Sequence, residues 1–353
     1  MIGANGQVGT EVCLFLSLTR DVRVVPICRT PLSSVFLRRC GLECRHGEIE
    51  DADRAAALLE GCDVVVDCSF PGGPLAERRA RIRRILVNAV HHAPRDARFV
   101  YMSSISAFGM GQTSRTFRRY AWARTSYGAQ KRWAERLAVR LCRTANHPLY
   151  VLRLGQVHGE LQGVSRNITR GLLATQVFVP TGLSYTVFAF TISEALTEIA
   201  RGREAPGHYT LVSSPEWTWQ EVHEFYCRRQ HVVPAVVLTN TRAAADGAGG
   251  LSRIAGTVGA DMLARARKYI EPLASHLTAY SPALECQLTA TYNRFRAASE
   301  IAQTSGYPYA PYAPYEGSIL GCRLVHLSDS RLTMESSAAA VRDIVLRAAQ
   351  QSS

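Results

Sequence analysis

Lysine is nearly absent from this sequence: of 41 Lys and Arg residues, only Lys131 and Lys268 are lysine. Lys131 stands four residues after Tyr127, in Ser126-Tyr127-Gly128-Ala129-Gln130-Lys131. At that spacing two side chains share one face of a helix. Arginine is a broad, permanently charged fork, whereas lysine is a compact ammonium that fits beside a phenol and still reaches a sugar hydroxyl. A free phenol, with a pKa of about 10, is a poor base at neutral pH. A nearby ammonium favours the phenolate and lowers that value, which equips Tyr127 to give a proton to a carbonyl or take one from an alcohol.

Two further patterns stand upstream. Gly3-Ala4-Asn5-Gly6-Gln7-Val8-Gly9 precedes an apolar stretch suited to a helix packed on a sheet. Glycines so spaced let the backbone turn tightly, so that Gly3, Asn5, Gly6, Gln7, Val8 and Gly9 can meet a pyrophosphate seated on a helix N-terminus. Arg98-Phe99-Val100-Tyr101-Met102-Ser103-Ser104 reads as a strand ending in hydroxyls. In this order and at these distances, Gly-x-x-Gly-x-x-Gly, Ser-Ser-x-x-x-x-Gly (Ser103 to Gly109) and Tyr-x-x-x-Lys resemble the extended short-chain dehydrogenase/reductase superfamily, its nucleotide-sugar epimerase/dehydratase branch above all. The resemblance covers about residues 1–240 and fades beyond them.

The resemblance implies an NAD(P)-dependent oxidoreductase or epimerase moving hydride at a carbinol or ketone carbon of a small metabolite or sugar nucleotide. Tyr127 would be the acid/base, and Lys131 would tune it and hold the nicotinamide ribose. Ser104, five residues before Gly109, takes the family's polarising Ser/Thr position, with Ser103 and Ser106 as rivals. No Thr-Asp-Glu follows Ser103, so reduction or epimerisation is preferred to dehydration. An acid about twenty residues past the glycine turn would select NAD. This chain has Cys28-Arg29-Thr30 there, so Arg29 favours a 2′-phosphate and NADP over NAD. Glu48 replaces the family's Asp at the adenine amine, and Ser69 is assigned to the same cofactor site. Gln156 and His158 depart from the family's Arg-x-x-Asn-Val-Tyr-Gly, and His158 is read as a structural histidine. Arg115 to Tyr120 could clamp an anion or be ordinary solvated arginines. A non-catalytic NADP-sensing protein, or a decayed homologue, is the alternative on the same fold.

These residues need a scaffold, and alternating strand-like and helix-like segments supply one: a doubly wound parallel sheet of Rossmann type. Strands are expected at Val22–Cys28, Glu43–Gly47, Asp63–Ser69, Arg98–Ser104, Tyr150–Leu154 and His208–Val212. Helices are expected at Leu32–Cys40, Asp51–Glu60, after Arg78, from Tyr127 past Leu141, at Ser193–Arg201 and at Glu335–Gln350. The cofactor domain is assigned to residues 1–160 with a return segment at about 186–215. Residues 161–185 and 216–353 form the smaller, mainly helical C-terminal substrate region, including helices in 251–305 and a Tyr/Pro-rich stretch at 307–315. The strand expected before the glycine turn has shrunk to Met1-Ile2, which would leave both its neighbours unpaired. A start site placed too late is the expected reason, a truncated chain the alternative.

With 353 residues and 47% hydrophobic content, a sizeable core is possible. No apolar run reaches the roughly 18 residues of a membrane span, and no leader pattern opens the chain, so a cytoplasmic protein without membrane partners is expected. Ten cysteines without a Cys-x-x-Cys pair read as reduced thiols, with neither disulfide framework nor metal site. The net charge is +12, and its densest basic run, Arg78-Arg79-Ala80-Arg81-Ile82-Arg83-Arg84, reads as the solvated start of an amphipathic helix. No aromatic interleaving accompanies it, so a small-molecule substrate is expected rather than nucleic acid, and a homodimer is allowed.

Overall fold

The computed structural model describes residues 1–19, 22–72, 75–108, 127–172, 176–180, 184–213, 217–233, 235–239 and 327–350. The chain divides into two units. The first comprises Met1–Arg170, Tyr185–Trp217 and Tyr312–Ser353, and the second Gly171–Ser184 and Thr218–Pro311.

In the first unit every strand of the main sheet is parallel. Strands β1 (Ile27–Cys28) and β2 (Arg45–His46) pair with each other. On the other side β3 (Val64–Asp67), β4 (Arg98–Ser104), β5 (Leu149–Leu154) and β9 (Gly207–Leu211) follow in that order. Ile2 joins the two halves, bridging Ile27 on one side and Asp67 on the other. Its amide donates to the Val66 carbonyl at 2.8 Å and its carbonyl accepts from Cys68 at 3.1 Å, while the Met1 carbonyl accepts from the Ile27 amide at 2.9 Å. Two residues therefore occupy the central slot. β1 is two residues long rather than Val22–Cys28, and ahead of it the Val25 carbonyl accepts from the Met1 amine at 2.9 Å.

Successive strand residues point to opposite faces, and both faces are covered by helices. Val66, Val100, Met102 and Leu152 face α1 (Gln7–Ser17) and α7 (Ala189–Ala200), with Val341 of α9 (Leu327–Gln350) in the same core. Val65, Phe99, Tyr101 and Val151 face α3 (Ala52–Leu59), α4 (Leu75–His91) and α5 (Tyr127–Ala145). The arginine-rich run does open a helix whose Ile82, Ile85 and Leu86 are buried, and Glu50 pairs with Arg81 at 2.7 Å and Arg84 at 2.8 Å. Beyond β5, short strands β6 (Gln156–His158) and β8 (Thr186–Phe188) pair in parallel. Two shorter helices, α2 (Val35–Arg39) and α6 (Gly163–Gly171), follow β1 and β6 along the chain.

In the second unit β7 (Gln176–Pro180) and β10 (Ala235–Thr239) pair in parallel beside α8 (Trp219–Gln230). Thr218 and Glu221 form a reciprocal capping box that fixes the start of α8. The expected helices in 251–305 and the Tyr/Pro-rich stretch lie outside the described residues, as do Arg115–Tyr120, Gly109 and Ser126.

Candidate active site

The glycine turn lies between Ile2 and α1. Gly3 has φ +74°, and a Cβ there would sit 2.9 Å from the Ser69 amide nitrogen and Cα, so the turn lies directly on the backbone that leaves β3. Gly6 caps α1 without any side-chain partner, and no acid stands in the first turn. Asn5, Gly6 and Gln7 are exposed and Val8 half-buried, while Gly9 is buried inside the helix. A close backbone approach at an uncapped helix N-terminus is what a pyrophosphate requires, so these residues fit a dinucleotide.

Arg29 is exposed in the turn after β1, and Glu48 is exposed in the turn after β2. The Gly47 amide donates to the Cys28 carbonyl at 3.0 Å, which sets the two turns side by side at the carboxyl edge of the sheet. Asn88 of α4 holds the loop by donating to the Ile49 and Glu50 carbonyls at 3.0 and 2.8 Å. Burial pushes the Glu50 carboxyl up, but the hydrogen bonds from Arg81 and Arg84 outweigh it and leave its pKa below the ordinary value.

Tyr127 opens α5 and is 45% exposed, whereas Lys131, one turn on, is only 4% exposed. The Lys131 ammonium donates to the Met102 carbonyl at 2.8 Å. It lies 5.2 Å from the Phe70 and Tyr101 ring centres and 5.9 Å from that of Tyr127. Phe70 meets Tyr127 edge-on at 4.9 Å. Tyrosine and lysine are thus brought together beside the loop after β3 that also carries Ser69.

Of the three serines, Ser103 is committed elsewhere. Its hydroxyl donates to Glu135 Oε1 at 2.5 Å, and Glu135 also receives Arg153 in a two-point pair at 2.8 and 2.7 Å. Ser104, half-buried at the end of β4, accepts from the Ser106 amide at 3.2 Å and keeps a hydroxyl proton to offer. A Cβ on residue 128 would overlap the Ser106 carbonyl oxygen, so only glycine can follow Tyr127. That contact docks the start of α5 on the turn that follows Ser104. His158 is fully buried, with Nε2 3.2 Å from Gln156 Oε1 and its ring 5.9 Å from that of Phe188, as a structural histidine would be.

Three buried acids escaped the sequence reading. Glu135 repeats the four-residue spacing after Lys131, a signal that was present in the sequence. Asp67 ends β3, where its Oδ1 accepts from the Ser69 amide at 2.9 Å. Glu11 of α1 accepts from the Glu160 amide at 2.5 Å, the Leu161 amide at 3.1 Å and the Gln162 side chain at 2.8 Å. Burial nevertheless pushes its pKa up to about 7. Among the described residues no group of three or more His, Cys, Asp or Glu could hold a metal ion, and no helix is long and apolar enough to cross a membrane.

The model of the NAD dependent epimerase/dehydratase family matches residues 1–177, half of the chain. The chain belongs to this family. It is accordingly an NAD-dependent enzyme of the epimerase/dehydratase type, built on a Rossmann-like parallel sheet. Solved structures with the same fold include a nucleoside-diphosphate-sugar epimerase from Pseudomonas aeruginosa, 18% identical, with a TM-score of 0.53 over 70% of this chain and 82% of that one. Another is the UDP-glucuronic acid 4-epimerase from Bacillus cereus in complex with UDP-glucuronic acid and NAD, 17% identical, with a TM-score of 0.51 over 67% of this chain and 84% of the other. At such identities the family enzyme shares a fold with them, and the likeness carries no substrate. No curated protein matches the sequence.

Proposed function

We propose that this family member is an NADP-preferring reductase or epimerase acting at a carbinol or ketone carbon of a small metabolite or sugar nucleotide. A bound nicotinamide dinucleotide would supply or accept the hydride. The chain's own residues handle the rest. Gly3, Asn5, Gly6, Gln7, Val8 and Gly9 receive the pyrophosphate, with Ser69 beneath them. Arg29 meets a 2′-phosphate and Glu48 the adenine amine. Ser104 polarises the reacting oxygen, Tyr127 gives or takes its proton, and Lys131 holds the ribose hydroxyls and favours the phenolate.

One observation carries this reading. An ammonium that is 4% exposed and donates to the Met102 carbonyl has further N–H groups to offer, and it sits one turn below an accessible phenol. Arginine's broad planar fork is not interchangeable with this compact ammonium. The test is to incubate the protein with NAD+, NADH, NADP+ or NADPH and a panel of ketones, alcohols and nucleoside-diphosphate sugars, following nicotinamide absorbance and sugar epimers. Tyr127→Phe should keep cofactor binding and lower turnover by about two to four orders of magnitude, the worth of a positioned acid or base. Equal turnover in mutant and parent would sink the assignment.

A further inference from the structure

We propose that the outward face shared by α4 and α5 is a docking surface for the phosphate backbone of a nucleic-acid duplex, bound without regard to base sequence. The proposal does not depend on the reading of the dinucleotide site, in which Arg83, Arg136, Arg140 and Arg143 take no part.

The two helices lie side by side. Arg79 of α4 leans over the Trp133 ring of α5 at 5.7 Å, and Arg78 donates to the Gln130 side chain at 3.4 Å. Arg83 follows Arg79 by four residues, one turn further along the side of α4 that meets α5. On α5, Ala134, Ala138 and Cys142 are buried in the core, and Arg136, Arg140 and Arg143 recur at helical spacing on the opposite side. The run Arg78–Arg84 does not make this surface by itself; the fold makes it by setting α5 beside α4.

The charge of this face is left open. Glu50 takes up Arg81 and Arg84, and Arg153 takes up Glu135, the one acid of α5. The one acid of α4, Glu77, stands in its first turn. Arg83, Arg136, Arg140 and Arg143 are exposed, and among the described residues their side chains make no hydrogen bond or ion pair. From Arg136 to Arg143 the row runs about 10 Å along α5, at about 1.5 Å per residue. A duplex carries one negative charge per about 1.7 Å of its axis, so guanidinium groups so spaced meet several phosphates at once. Guanidinium suits that contact, because its fork can bond two phosphate oxygens together.

Other occupants fit this face less well. Anionic membranes and acidic proteins are held by apolar contacts as well as by charge. Apart from Tyr127, at the start of α5, neither helix exposes a large apolar side chain. A single strand would stack its bases on aromatic rings, and Trp133, the ring between the helices, is half-buried beneath Arg79. A second copy docking through the same face would set these arginines against themselves. Contact with a duplex backbone asks for charge at the right spacing and no more.

The test uses the whole protein and a fluorescein-labelled DNA duplex of about 20 base pairs, followed by fluorescence anisotropy from about 50 to about 200 mM NaCl. Affinity should fall about a hundredfold over that range, as expected of four phosphate contacts contributing about −0.9 each to the salt slope. Arg83→Gln/Arg136→Gln/Arg140→Gln/Arg143→Gln should weaken binding at the lower salt by at least about tenfold and flatten the slope. The milder Arg136→Gln/Arg140→Gln should lower the slope by about half, and it carries the test if the fourfold variant does not fold. Arg23→Gln/Arg54→Gln/Arg228→Gln/Arg347→Gln has the same net charge as the fourfold variant, removes exposed arginines from elsewhere, and should bind nearly as the parent does. An equal loss in that control would show that the overall charge of +12, and not this face, attracts DNA, which overturns the proposal. A parent that fails to bind the duplex at the lower salt overturns it too. Tighter binding to phosphatidylserine vesicles, to polyglutamate or to a single strand of the same length, or a dimer that the four substitutions dissolve, would give the face to another partner and overturn it likewise.

Discussion

Lys131 and Arg29 show how much the choice of a single residue type can disclose. A lone lysine in an arginine-rich segment, four residues after a tyrosine, marks a position where charge alone is insufficient, and its burial among rings gives the steric reason. Arg29 is proposed as a cofactor contact for the opposite cause, the lack of an acid where one would select NAD, and it is exposed beside the turn that carries Glu48. Arg29→Ala should weaken NADPH binding by about 1.5 to 3 kcal/mol, the range of a charge-assisted hydrogen bond, and leave NADH nearly unchanged. Calorimetric titration of both cofactors into both proteins checks this, and a parent that prefers NADH would overturn the NADP assignment. Asp67 cannot be read in the same way. An acid at the end of an apolar strand looks like any strand terminus, and only the cross-strand register puts it opposite Tyr101.

Helix α5 carries Tyr127 and Lys131, the proposed acid/base pair, and its own anchor lies one turn beyond Lys131. Ser103, Glu135 and Arg153 tie α5 to β4 and β5 through hydrogen bonds of 2.5 to 2.8 Å, with the Arg153 and Glu135 side chains 5% and 4% exposed. Breaking such a pair from one side leaves a buried charge without its ion-pair partner. Glu135→Leu should therefore cost about 3 to 5 kcal/mol of stability, while adding Arg153→Met should restore most of it. Urea unfolding of the single and double variants decides the matter, and a double variant no better than the single would show that the pair is not what fails. The span of α5 is legible from its apolar spacing and β4 from its hydrophobic run. The length of β1 is not, because Val22 to Pro26 have the residues of a strand but lack a full partner, and ladder pairing is not written in a segment's own sequence.

Across the whole first unit the parallel order β2, β1, Ile2, β3, β4, β5, β9 puts the glycine turn, Arg29, Ser69 and Ser104 at one edge of the sheet, where ligands bind in such folds. Alternation of element types makes that architecture readable. Long-range acid contacts such as Glu11 with residues 160–162 are not readable, since they join segments some 150 positions apart. Glu11 titrates at about 7 in the folded chain against an ordinary 4.5. Between these values the folded chain holds a proton that the unfolded chain has released, so the contribution is fully present at low pH and is lost as pH rises through about 7. Glu11→Gln cannot titrate, so the stability of the parent relative to this variant should fall by about 1 to 3 kcal/mol from about pH 4.5 to about pH 8, measured by denaturant unfolding at several pH values. A constant difference would show that Glu11 ionises normally. The contact between the Ser106 carbonyl and Gly128 has a bearing on how such a protein can diversify. Because that contact sets where α5 begins relative to the end of β4, a change of side chain at position 128 would move Tyr127 away from Ser104 before it altered either residue.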